Sequence, residues 1–406
     1  MADRTQKRAG AREEGTPGEV FGAFLKLGLT SFGGPIAHLG YFRDELVVRR
    51  RWLDDERYAD LVALCQFLPG PASSQVGSAL GLMRGGPLGA LAAWTAFTLP
   101  SALLLVLFAY GAALFDGPLG AGLLHGLKIV AVAVVAQAVW GMAKTLTPDR
   151  TRAGIALAAV VTVTALGGSL GQIAAIVMGG LAGLWLCRSG DAPRGGHLTV
   201  PVSRTAGMVL LAVFFALLVL LPAARTVFEG QTLALADAFY RAGALVFGGG
   251  HVVLPLLEAA VVEPGWVSAG DFLSGYGAAQ AVPGPLFTFA AYLGAAMEPA
   301  PNGIAGAALA LAAIFLPGLL LVAGALPFWE ALRTRPRAQA AMRGTNAAVV
   351  GILGAALYDP LWTGAILAPS DFVLALIGFA LLTMWKAPPW IVVVLLALAG
   401  AALALV

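Results

Sequence analysis

From residue 20 onward, apolar stretches long enough to enter or cross a bilayer follow one another with short polar interruptions. Read as helices, they run near 20–42, 58–83, 87–115, 121–147, 152–167 and 170–187. A single stretch follows at 206–223, then a second series at 232–262, 270–297, 303–329, 338–358, 364–385 and 388–406. About thirteen hydrophobic segments predict an all-α polytopic membrane protein. Residues 1–19 are polar and charged, with no apolar stretch before a cleavage site. They read as a disordered cytoplasmic tail and not as a signal peptide.

Composition narrows the class. Hydrophobic residues make up 59% of the chain and charged residues 12%, with a mean hydropathy of +0.84. Soluble domains carry about 25% charged residues, so this chain lacks the polar surface to face water all round. Its formal net charge of +3 comes from Lys and Arg in loops, which reports topology and argues against nucleic-acid binding. Cys65 and Cys187 both lie in apolar surroundings. Neither a disulfide scaffold nor a metal cluster is indicated, and no cofactor is expected.

The chain aligns with itself. Phe24-Leu25-Lys26-Leu27-Gly28 matches Phe239-Tyr240-Arg241-Ala242-Gly243, and Phe32-Gly33-Gly34 falls on Phe247-Gly248-Gly249 at the same offset. Trp52 matches Trp266, and Gln66-Phe67-Leu68-Pro69-Gly70-Pro71 matches Gln280-Ala281-Val282-Pro283-Gly284-Pro285. Leu99-Pro100 then falls on Leu316-Pro317, and His125-Gly126-Leu127-Lys128 on Arg343-Gly344-Thr345-Asn346. Chance apolar similarity does not hold such motifs in register, so the chain reads as a tandem duplication. The repeats span 20–187 and 232–406, with a linker at 188–231 that carries one transmembrane helix.

A single linker helix inverts the second repeat if each repeat crosses an even number of times. Let 20–42, 58–83, 232–262 and 270–297 be re-entrant and the other nine segments cross. With the N-terminus in the cytoplasm, all of the 25 Lys and Arg residues then lie in the cytoplasm except Lys26, Lys128, Arg225 and Arg241. The C-terminus is then external, and the membrane is the inner (plasma) membrane. A model in which all thirteen segments cross instead exports the loop containing Arg49-Arg50-Arg51, which the positive-inside rule disfavours.

Four motifs interrupt apolar runs: Phe32-Gly33-Gly34-Pro35, Pro69-Gly70-Pro71, Phe247-Gly248-Gly249-Gly250 and Pro283-Gly284-Pro285. Proline removes a backbone donor and paired glycines release the chain. Unwound backbone at membrane depth survives only where protein or a watery cavity satisfies it. Twelve helical residues from Val20 to Phe32 reach about 18 Å, slightly past the middle of a ~30 Å core. The breaks should therefore meet near the midplane, where inverted-repeat transporters bind substrate.

A helix restarting after Pro71 aims the amides of Ala72, Ser73, Ser74 and Gln75 at that point, with two hydroxyls; Leu286, Phe287 and Thr288 hold the same place in the second repeat. Helix starts suit anions, and two facing starts suit a dianion. Alternatively, these Gly and Pro residues serve only close helix packing. Phe32, Gly33, Gly34, Gln66, Gly70, Gly248, Gly249, Gly250, Gln280 and Gly284 belong to the same candidate site.

Lys26 and Arg241, equivalent by the repeat, and Lys128, which pairs with Asn346, carry charge inside apolar segments. They are functional candidates unless they snorkel to an interface. His38 and His251 follow their breaks and could bond an oxyanion or carry a proton. Glu45 and Glu258, at the far ends of their hairpins, are candidates for proton coupling.

The paired motifs Phe32-Gly33-Gly34-Pro35-Ile36-Ala37-His38, Arg51-Trp52-Leu53, Gln66-x-x-Pro69-Gly70-Pro71 and Phe247-Gly248-Gly249-Gly250-His251-Val252-Val253-Leu254-Pro255 resemble the chromate ion transporter family in its long, two-domain form. The resemblance runs from about residue 20 to the C-terminus. It implies export of chromate driven by the proton motive force. Sulfate or molybdate shares the charge and shape of chromate and stays open as cargo, as does a homodimeric assembly. An intramembrane enzyme built on Ser73 or Ser74 with His125 has no Gly-x-Ser-x-Gly or His-Glu-x-x-His motif to support it. An ATP-driven pump lacks its Gly-x-x-x-x-Gly-Lys-Ser/Thr loop.

Overall fold

The computed structural model describes residues 15–112, 117–188 and 201–405. Residues 1–14 of the expected tail and most of the loop before the linker helix lie outside the described residues. The described chain is helical throughout, and six of its helices are long and apolar enough to cross a membrane.

Each of the four expected breaks is present. Helix α1 (Pro17–Thr30) gives way at Ser31 to α2 (Gly34–Phe42), whose last turns widen over Arg43–Arg49. Helix α3 (Asp55–Phe67) stops before Pro69-Gly70-Pro71, and α4 (Ala72–Ala112) starts directly after it. In the second half α9 (Gln231–Ala244) is separated from α10 (Val253–Val261) by the glycine run, and α11 (Ala269–Ala279) from α12 (Phe289–Ala296) by Pro283-Gly284-Pro285. Gly33 and Gly34 take φ of 99° and 80°, a region open to glycine without strain, which is why the break sits there. The helix starts carry the expected signals: Thr16, Asp54 and Ser268 accept amides from the first turns of α1, α3 and α11.

The remaining helices are α5 (Gly117–Leu146), α6 (Arg150–Leu166), α7 (Gly168–Leu186), the linker helix α8 (Arg204–Arg225), α13 (Gly303–Ala325), α14 (Pro336–Ala356), α15 (Pro369–Thr383) and α16 (Pro389–Leu403). The segments expected at 58–83 and 87–115 are not separated by a loop. They join in α4 through a kink at Gly85 and Gly86, directly before Pro87.

The broken segments return to the side from which they start. The Glu19 carboxylate, at the head of α1, accepts bonds from Trp52 Nε1 at 3.1 Å and from Arg84 at 3.1 and 3.2 Å. Trp52 follows the first broken segment and Arg84 ends the second. Had either segment crossed, about 30 Å of hydrocarbon would separate them. In the second half the second broken segment returns likewise: the amide of Glu298, just after it, bonds the carbonyl of Trp266, just before it, at 3.1 Å, and Tyr292 Oη on α12 donates to the Asp271 carbonyl at the head of α11 at 3.0 Å. Three of the four broken segments are thus closed as re-entrant hairpins, and the fourth, 232–262, is equivalent by the repeat to the first. Five helical rods, the 87–112 arm of α4 and α5 to α8, lie between the two sets. With all five crossing, as the sequence analysis expects, their odd number inverts the second half.

The halves also exchange their last helix pairs. Helices α6 and α7 pack on α14 of the second half, while α15 and α16 pack on α5 of the first, and α5 and α14 are equivalent by the repeat. Small residues permit both contacts: a Cβ on Gly183 would overlap the Ala340 carbonyl, and one on Gly126 the Leu396 carbonyl. A third tie joins the short helix Trp329–Arg333, which follows α13, to α3. Trp329 Nε1 and Arg333 both donate to buried Asp60, at 3.0 and 3.2 Å.

A cross-link tests the re-entrant geometry. With Cys65 and Cys187 replaced by Ser, the pair Glu19→Cys and Trp52→Cys should be bridged within one chain by a short bifunctional methanethiosulfonate, which spans the reach of the two side chains, seen as a mobility shift that reductant reverses. A crossing segment would give no such product.

Candidate functional site

The four breaks meet, and the two halves satisfy each other's backbone there. The Gly70 amide donates to the Val246 carbonyl at 2.7 Å, and the Gly284 amide donates to the Ser31 carbonyl at 2.9 Å. Gly70 and Gly284 are equivalent by the repeat, as are Ser31 and Val246, so the bonds are reciprocal across a pseudo-twofold axis. Pro35 and Gly250, also equivalent, lie beside that axis, where a Cβ on Gly250 would stand 3.2 Å from Pro35 Cγ. Two prolines would collide at this point, which accounts for the glycine that stands in the second half.

The first half lines this junction with buried polar side chains. His38 Nδ1 lies 3.4 Å from Ser73 Oγ, and its ring packs edge-on against Phe97. Gln75, fully buried, donates through Nε2 to the carbonyls of Pro69 at 2.9 Å and Gly318 at 3.1 Å. Ser101 stands against Gly284 and donates to the Thr98 carbonyl. Six buried atoms have no partner: Ser31 Oγ, His38 Nε2, Ser74 Oγ, Gln75 Oε1, Ser78 Oγ and Thr98 Oγ1. Each unsatisfied buried polar group costs about 1–3 kcal/mol, so a group of them on neighbouring turns marks a place for a polar ligand or water.

The first turn of α4 supplies further donors. Its first intrahelical bond runs from Gln75 N to the Pro71 carbonyl, which leaves the amides of Ala72, Ser73 and Ser74 without an intrahelical partner. The Gln75 amide, expected among the free donors, is used inside the helix. Only the Gln75 side chain faces the junction.

The second half is different in chemistry. Leu286–Thr288 form a single 3-10 turn ahead of α12, Leu286 and Phe287 are apolar, and Thr288 Oγ1 donates back to the Pro285 carbonyl at 2.7 Å. His251 Nδ1 pairs with Tyr276 Oη at 2.8 Å, and Gln280 Nε2 reaches the Tyr276 carbonyl at 3.4 Å. The two helix starts are equivalent in backbone position, but hydroxyl donors lie on one side only. Phe32, Gly33, Gly34, Gly248 and Gly249 form the unwound links of their hairpins, with Gly248 and Gly249 against Met142 of α5, and Gln66 is exposed on α3.

Two of the basic candidates, Lys26 and Arg241, sit away from the breaks with carboxylates beside them. Lys26 Nζ lies 2.7 Å from Glu45, which also takes Arg49 at 3.3 Å and Arg50 at 2.8 Å. Arg241 pairs with fully buried Asp237 at 2.6 Å, and Arg225 shares the same carboxylate oxygen at 2.9 Å. Lys128 packs its ammonium against Gly270 in the first turn of α11, and Asn346 keeps a buried, unpartnered Oδ1. Glu258 is half-buried on α10.

Sequence reading passed over Ser31, Ser78, Thr98 and Asp237. Ser31 directly precedes the Phe-Gly-Gly break, a usable signal. Ser78 and Thr98 lie inside long apolar helices and carry none. His125 Nε2 lies 3.0 Å from Asp371 Oδ1, a contact that ties α5 to the head of α15.

A family model described as chromate transporter matches residues 18–184 and, separately, 233–401. The chain belongs to the chromate transporter family. It is 31% identical over 388 residues to the chromate transport protein of Pseudomonas aeruginosa, covering 93% of this chain and 90% of that one. It is 29% identical over 386 residues to a probable chromate transport protein of Synechococcus elongatus, covering 93% of both chains. The chromate transport protein of Cupriavidus metallidurans is 27% identical over 371 residues, or 89% of this chain and 87% of that one. No solved structure matches the chain. Because both halves match one family description, membership rests on the duplication and not on one motif.

The ion pairs around Glu45 allow a direct check. Glu45→Gln removes the counter-charge of Lys26, Arg49 and Arg50, and should cost about 1–3 kcal/mol, less than a fully buried pair because the cations are partly solvated. Thermal unfolding of the purified protein should show a lower midpoint. An unchanged midpoint would reduce this network to surface decoration.

Proposed function

We propose that this member of the family exports chromate from the cytoplasm across the inner membrane as a secondary transporter driven by the proton motive force. The observation that carries the proposal is the buried polar group at the junction: Ser31, His38, Ser73 and Ser74, three of them with unpartnered atoms, beside the unbonded first-turn amides of α4. Such a site offers hydrogen-bond donors and the positive end of a helix to a tetrahedral oxyanion. An anion seated between Ser31 and Ser74 touches both re-entrant hairpins of the first half. It also lies next to the backbone bond that joins Ser31 to the second half. Relative movement of the halves would then open the site to one face at a time. Lys26 and Arg241 stand about two turns before their breaks, where their fields would draw a dianion toward the two approaches. Glu258 remains the proposed carrier of the coupling proton; Glu45, a candidate by sequence, is held ionised by Lys26, Arg49 and Arg50 and does not suit that role.

In everted vesicles with an imposed pH gradient, the wild type should accumulate chromate. The Ser73→Ala, Ser74→Ala double variant should lose roughly tenfold or more in apparent affinity, because each lost bond to a charged partner is worth about 1.5–3 kcal/mol. Expression should be near normal, since Ala suits a helix. Unlabelled sulfate in excess separates the cargo readings. Full competition would favour a general carrier of tetrahedral oxyanions, and weak competition chromate selectivity. Unchanged affinity in the double variant would remove the hydroxyls from the site.

Orientation is tested separately. Single cysteines at Arg50 and Glu263, probed with an impermeant thiol reagent on intact cells, should label only at the second position. Labelling at the first would reverse the proposed sidedness.

A further inference from the structure

A cavity of about 400 Å³ opens beside the first hairpin of the second half. Its rim carries Arg225, Glu263 and Trp266, and Ser169 of the first half closes one flank. Arg241 lines its wall, and the cavity reaches inward to Leu245. Leu245 directly precedes Val246, whose carbonyl takes the Gly70 amide. The innermost residue of the cavity in sequence, Leu245, is therefore one position from the junction, while the polar side chains of the junction do not line the cavity.

Its charge is unevenly matched. Arg225 and Arg241 both bind one oxygen of Asp237, and the other oxygen, Oδ1, is buried without a partner, as is Arg241 Nε. One carboxylate thus serves two guanidiniums. Glu263 does not add a second counter-ion at the same point: its carboxylate lies against Gly168, where the N-terminal end of α7 offsets its charge. What remains is a roomy, partly buried site with two arginines that share one carboxylate oxygen, and one buried N–H without a partner. Guanidinium forks of this kind suit tetrahedral oxyanions.

We propose that this cavity is a second anion site, which holds a tetrahedral oxyanion between Arg225 and Arg241 before or after its stay at the junction. Asp237 is its built-in competitor. It keeps both arginines in place when the site is empty and gives up part of their hydrogen bonding when an anion enters. The inference rests on the transport reading only for the choice of anion.

Chromate absorbs light where tryptophan emits, so bound chromate quenches a nearby indole, and Trp266 lines this cavity. Chromate is titrated into the purified full chain, and the signal is the emission lost between wild type and Trp266→Phe. Saturable quenching of that component is expected. Arg225→Gln should raise its midpoint roughly tenfold or more, Arg225→Lys should recover part of the loss, and Asp237→Asn should lower the midpoint. Unquenched Trp266 emission, or the same midpoint in Arg225→Gln as in wild type, would overturn the site. Should Asp237→Asn fail to fold, the Arg225 pair decides alone. Saturable quenching without chromate flux in vesicles would leave this site standing and remove the proposed transport. Flux with an unchanged Arg225→Gln midpoint would do the reverse.

Discussion

Backbone amides and carbonyls freed at membrane depth must find partners, and that requirement organises this structure. Every break in a re-entrant hairpin releases groups that no lipid can satisfy. Here each half supplies what the other lacks: Gly70 bonds to Val246, and Gly284 to Ser31. Side chains of each half satisfy the Pro69 and Pro285 carbonyls, but the Gly70 and Gly284 amides find their partners only in the other half, so the junction is complete only when both are folded together. The same demand explains the chemistry at the axis, where a glycine faces a proline because two pyrrolidine rings do not fit.

The exchange of helix pairs reinforces that dependence. Lipid tails give helices no hydrophobic reason to associate, so contact must come from close packing. Gly183 against Ala340 and Gly126 against Leu396 bring backbones near enough for dispersion to hold them. Because α7 belongs to one half and α14 to the other, these contacts hold the inverted halves around the junction. The Asp60 tie to Trp329 and Arg333 secures the opposite flank with charge-assisted bonds.

Charge is kept near the ends of the hairpins, while the junction itself is lined by neutral donors. Glu45 gathers three cations and Asp237 two. A fixed charge buried beside an oxyanion would bind it too tightly for release or require its own counter-ion. Under the proposed function, hydroxyls, amides and one imidazole would stabilise a dianion while leaving it exchangeable.

Much of this was legible along the chain because it is local. Apolar runs, Gly and Pro breaks and the register of Trp52 with Trp266 depend on neighbouring residues and on a duplication that preserves their order. They determined the helical class, the positions of all four breaks and the inverted pairing of the halves. What only the tertiary structure decided is which groups meet across the duplication. Equivalent positions suggested two matching anion sites, yet Ser73 and Ser74 face the junction where Phe287 and a self-satisfied Thr288 stand opposite. Lys26 and Arg241 occupy equivalent turns, yet one finds Glu45 and the other Asp237, on different helices. The kink at Gly85 and Gly86, the exchange of α6–α7 for α15–α16 and the unpartnered Ser78 and Thr98 follow from contacts between segments far apart in sequence. Periodicity specifies which face of a helix is apolar. It does not specify which distant helix will cover that face, and so it cannot say which polar atoms are left without a partner.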